Sequence, residues 1–196
     1  MEKRWKKIIA KRACDVVHAE DLSDASAAML AEEMGPEDFI VTLSKAGQRL
    51  DAAKVLAYAL PRREAVWWAC MCAREMAGVV GDESQQRALA AAEKWVYEPT
   101  DEHRTAAYVS VQKCKTNSGG MLCALAAAFS EAVLPIGGDQ IIDVDIKTFP
   151  SLVFAIIVLA ADEGEKDLMD KRLQDYLLTG EDIACGGSGI KDAPAK

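Results

Sequence analysis

Apolar residues along this chain recur mostly at helical spacing, three and four apart. From Lys3 to Ala19, Trp5, Ile8, Ile9, Val16 and Val17 stand between lysines and predict a first helix. Asp21 to Met34 predicts a second, closed by Gly35-Pro36. Pro36, with Glu37 and Asp38 behind it, suits the opening of a third that carries Phe39, Ile40 and Leu43 to Gly47. Leu50, Ala53, Ala57 and Leu60 fall on one face of a fourth. Pro61 then opens the most informative stretch, because no residue from Ala65 to Ala73 is charged. A helix apolar on every side is a buried one, so this segment is expected at the centre of the fold.

Beyond Gly81, Asp82-Glu83-Ser84 starts a helix that runs through Leu89 and Trp95 to Pro99. Thr100 is placed as an N-cap for a helix over His103, Ala107 and Val111. The turn Asn117-Ser118-Gly119-Gly120 precedes an Ala-rich helix from Met121 to Val133. Ile141 to Ile146 alternates imperfectly and has no evident pairing partner, so it reads as an extended connection. Two more helices follow, one through Val153 and Ile157 and one from Glu163 to Leu178. The expectation is an all-α, single-domain bundle of eight or nine helices over residues 1–185, with 186–196 as a flexible tail.

Composition supports that reading. The chain has 196 residues, 51% of them hydrophobic, so it can bury a core. Its 33 alanines favour closely packed helices and suit strands poorly. The formal charge of −8 speaks against nucleic acid as a partner. Six Lys and Arg side chains within the first twelve residues lack the apolar run of a secretory signal behind them. No stretch approaches the roughly 20 apolar residues of a membrane span. The six cysteines sit mostly among apolar neighbours and read as free thiols of a cytoplasmic protein.

Candidate chemistry is sparse. Cys14 and His18 are four apart and would share a helix face, but two more ligands for a zinc site are missing. Cys70 and Cys72 would point to opposite sides of a helix. No catalytic, cofactor or metal residues are assigned. Arg62, Arg63, Glu64, Trp67, Trp68 and Arg74 form the one cluster of interaction-type residues. Arg63 and Trp67 are spaced for guanidinium–indole stacking, and Trp and Arg dominate binding hot spots. The competing reading is a core helix whose first-turn arginines pair inside the protein, since the helix dipole disfavours cations there.

The string Leu60-Pro61-Arg62-Arg63-Glu64-Ala65-Val66-Trp67-Trp68-Ala69-Cys70 resembles that of an uncharacterised, all-helical bacterial family often encoded near type VI secretion genes. The resemblance implies a protein partner such as an effector, a spike component or a toxin. The resulting expectation is a non-catalytic adaptor or chaperone-like accessory protein for effector loading. The alternatives are an enzyme using Arg62, Arg63 and Glu64 in a helical pocket, and an immunity protein whose acidity suits a basic toxin.

Overall fold

The computed structural model describes residues 5–115, 118–137 and 140–190. It is all-α in class, with ten α-helices and one two-stranded sheet among the described residues. The chain folds as two compact units, Met1–Pro61 with Glu165–Lys196, and Arg62–Gly164. Part of the expected tail, residues 191–196, lies outside the described residues. No described helix is long and apolar enough to cross a membrane.

The first unit begins without the two long helices that its spacing suggests. Residues 5–12 carry no helix, and Ala13–Asp15 and Ala19–Asp21 are single 3₁₀ turns. Trp5 and Val17 are buried while Ile9 is 86% exposed, so the apolar positions do not share one face. Backbone bonds pin this strap instead: Lys7 N donates to Ala184 O, and Ala13 N to Met34 O. From the predicted Asp21–Met34 helix only α1 (Asp24–Ala27) forms, capped by Ser23, whose hydroxyl accepts from Ser26 N. Glu32 and Glu33 would have placed two anions at the negative end of the longer helix.

Pattern and structure agree from Pro36 onward. α2 (Pro36–Lys45) starts on its proline, and α3 (Arg49–Ala59) follows after Gly47, whose φ of 79° makes the turn glycine's conformation. α2 and α3 pack together, and α10 (Met169–Ala184) lies on α3. Phe39, Leu43, Val55 and Leu56 are fully buried at the centre of this unit.

The second unit holds α4 (Arg62–Ala73), the short α5 (Ala77–Val80), α6 (Glu83–Tyr97) and α7 (Asp101–Val111). α8 (Gly119–Ala128) and α9 (Thr148–Asp162) complete its helices. α4 packs on α6, α8 and α9, and its Ala65, Val66, Trp68, Ala69 and Cys70 are buried. It shares the centre with α8, which touches α4, α6, α7 and α9. The close approach of α6 and α8 depends on Gly120, where a Cβ would stand 2.2 Å from the Gln85 carbonyl oxygen. The buried Gln85 also accepts from Met121 N (2.8 Å), satisfying a free amide in the first turn of α8.

α8 stops at Ala128, five residues short of the expected end, and the chain turns into β1 (Val133–Gly137). β1 pairs antiparallel with β2 (Gln140–Asp143), so the segment read as an extended connection is one arm of a hairpin. Its partner is hidden in the sequence by Pro135, which argues against a strand; the register sets Pro135 opposite Ile141.

Candidate functional site

α4, with Arg74 just past its end, sorts the six candidate residues by the face on which each lies. Trp68 has no exposed surface and belongs to the core. Trp67, one residue earlier, is half-buried and meets the ring of Tyr97 edge to face at 6.0 Å. Tyr97, at the end of α6, is 70% exposed. Over the Trp67 ring lies Arg74, its guanidinium carbon 5.2 Å from the ring centre. Arg74 Nε donates to Glu93 Oε1 (2.7 Å), and that bond raises the guanidinium's pKa and keeps it charged. Trp67, Tyr97, Arg74 and Glu93 thus form one amphipathic shelf along α4 and α6.

The stacking expected from Arg63 is supplied by Arg74. Arg63 turns away, and its Nε donates to the carbonyl of Val96 (2.5 Å) in the last turn of α6. The cation therefore leaves the positive end of its own helix dipole for the negative end of another. Arg62, half-buried, pairs with the exposed Glu131 at 2.5 Å. Both first-turn arginines find compensation within this unit, and Glu64 is half-buried beside them.

Three participants escape a reading of the sequence. Glu93 and Tyr97 are four apart and must share a face of α6, but nothing in the sequence says that α4 adjoins that face. Arg104 falls in phase with the buried His103 and Ala107 on α7, and a charged residue in an apolar phase is a signal in itself. It is almost fully buried, donating through Nη2 to Ala128 O (3.0 Å) and Val133 O (2.8 Å) and pairing with Asp101 at 2.7 Å. It fixes the end of α8 and the start of β1.

Burial, and then the adjacent Cys123 thiol, push the Cys70 thiol well above its ordinary range, so it stays protonated at neutral pH. Cys14 lies on a 3₁₀ turn and donates to Glu32 O, so the helical pairing with His18 does not form. Among the described residues no three His, Cys, Asp or Glu gather as a metal site would require.

The fold and this shelf define a helical protein with a compact aromatic–cationic surface. Residues 39–184 match the family model described as a family of unknown function, DUF6931, and the chain belongs to that family. The match includes the whole of α4 and α6. No curated protein and no solved structure matches the chain.

Proposed function

We propose that this chain is a non-catalytic protein-binding accessory protein, adaptor or chaperone-like in action, that engages its partner through the α4–α6 shelf. The observation that carries the reading is the exposed Tyr97 ring set against the half-buried Trp67, with Arg74 stacked above. Tyr, Trp and Arg are the side chains that anchor interfaces, and anchors work best where neighbouring contacts have already fixed their rotamers. Trp67 and Arg74 hold one another before any partner arrives, so little side-chain entropy is lost on docking. The resemblance of Leu60–Cys70 supports an effector or spike component of type VI secretion as that partner, met in the cytoplasm.

The test is affinity capture from the native organism with the full chain and with Tyr97→Ala and Arg74→Ala. The full chain should retain a discrete partner that both variants lose, while their circular dichroism and melting temperature stay close to the parent's. Retention of the same partner by both variants would remove the shelf from the interface. Arg62→Ala with Arg63→Ala should instead lower the melting temperature, because those cations serve Glu131 and the end of α6.

A further inference from the structure

The two edges of the β1–β2 hairpin are treated differently by the rest of the second unit. Val144 N donates to Ala132 O across the hairpin (2.8 Å), which turns the backbone groups of Val144 and, two residues earlier, Ile142 toward β1. The alternation of antiparallel pairing then directs the N–H and C=O of Ile141 and Asp143 outward. On β1 the corresponding outward carbonyls belong to Val133 and Pro135. Both are occupied: Arg104 Nη2 donates to Val133 O (2.8 Å) and Thr105 Oγ1 to Pro135 O (2.7 Å). Pro135 has no N–H to offer, so both outward carbonyls and one of the two outward amide positions of that edge are closed to a further strand.

The β2 edge has no such cover. Among the described residues no hydrogen bond reaches the outward groups of Ile141 or Asp143. Gln140-Ile141-Ile142-Asp143 contains no lysine or proline to blunt it. On the strand Ile141 stands in solvent at 58% exposure, and Ile146, three residues past its end, at 75%. Asp143 and Asp145 supply exposed negative charge, and a shallow hollow of about 540 Å³ lined by Asp145, Lys147, Thr148, Ser151 and Leu152 lies past the strand's end, with Lys147 as its one cation.

We propose that β2 is a docking edge for an extended, basic and apolar segment of a partner protein, which adds to the hairpin as a third strand. Main-chain bonds to Ile141 and Asp143 hold the segment, its apolar residues lie against Ile141, and its cations face Asp143 and Asp145. A second copy of this chain is disfavoured as the occupant. Antiparallel β2–β2 pairing would bring two sets of these aspartates together, and like charges across a strand pair repel. The edge lies on different elements from the Trp67–Tyr97 shelf, and its occupancy does not depend on that surface.

The test uses the full chain, isotope-labelled, with the short acetylated peptide Lys-Thr-Lys-Thr-Val as the probe, whose lysines and valine fall on one face of an added strand. The peptide should slow amide exchange at Ile141 and Asp143, and its binding should weaken as salt rises. Ile141→Pro deletes an outward N–H without touching the ladder and should weaken binding roughly tenfold. The double variant D143K/D145K, which keeps every backbone group, should lose the lysine peptide and take up its counterpart with glutamate in place of lysine. It also carries the test if the proline disturbs the hairpin. Absence of binding, binding that leaves those two amides unprotected, or equal binding by parent and D143K/D145K would each overturn the proposal. So would protection that grows with protein concentration without peptide, which would give the edge to a second copy.

Discussion

Trp67 and Trp68 stand side by side on α4, yet they answer to different surroundings. Trp68 has no exposed surface, so Trp68→Ala should cost about 3–5 kcal/mol on urea unfolding. Trp67 is half-buried beneath Arg74, and Trp67→Ala should cost roughly 1–2 kcal/mol, nearer the ordinary mutational range. Equal losses would mean that both rings are core. The nine uncharged residues around them announce burial but cannot say which ring faces outward, because that depends on where α6 lies. Arg104 is the converse case, a charged residue in an apolar phase. Arg104→Ala would leave the carbonyls of Ala128 and Val133 without their donor, and about 2–4 kcal/mol of stability should be lost. Arg104→Lys should recover only part, since an ammonium lacks the planar fork that reaches both carbonyls. Full recovery by lysine would show that charge alone matters here.

Among the elements, α2, α3, α6, α7 and α9 are legible from periodicity joined to stop and start chemistry: Pro36, Gly47, Thr100 and Pro99 each mark a boundary that exists. α10 forms instead at Met169–Ala184, six residues beyond the Glu163–Leu178 span its periodicity predicts. The strap before Pro36 is not legible. Trp5 and Val17 mimic a helical spacing, but they are buried separately, on a segment joined by backbone bonds to distant residues. Asp51 holds α1 to the start of α3, accepting from both the amide and the hydroxyl of Ser23. Partial burial opposes its ionisation, but the bonds from Ser23 and Ser26, with Lys54 nearby, prevail and lower its pKa. A carboxylate depressed on folding contributes stability above its unfolded value of about 3.9, and that contribution fades as pH falls through the folded value. Asp51→Asn should therefore flatten the acid limb of a stability–pH curve; an unchanged limb would show that Asp51 is not the group responsible. The α6–α8 crossing carries another expectation. Gly120→Ala drives a Cβ into the Gln85 carbonyl, which is backbone and cannot swing aside, so about 1–3 kcal/mol should be lost. A gain in stability, as Gly→Ala gives at an open helical site, would mean that the two helices have room to part.

Across the whole molecule, one compact unit is a continuous stretch of chain and the other is assembled from two pieces that flank it. α3 ends at Ala59, and the helix that packs on it, α10, ends at Ala184. A chain terminated after Gly164 should lose the fold of the first unit and bind a hydrophobic dye, while slow amide exchange persists in α4 and α8. Dye binding no greater than the parent's would show that α2 and α3 suffice alone. The order of synthesis follows from the same arrangement. At ~5–20 residues per second the ribosome needs roughly 6–25 s to add the approximately 125 residues that separate the end of α3 from the end of α10. Throughout that interval Phe39, Leu43, Val55 and Leu56 stand without their covering helix, and α4 to α9 are complete and free to close on themselves before α10 is made. The unit whose synthesis starts earlier is thus the last to be finished, and a nascent-chain chaperone would find its substrate in α2 and α3.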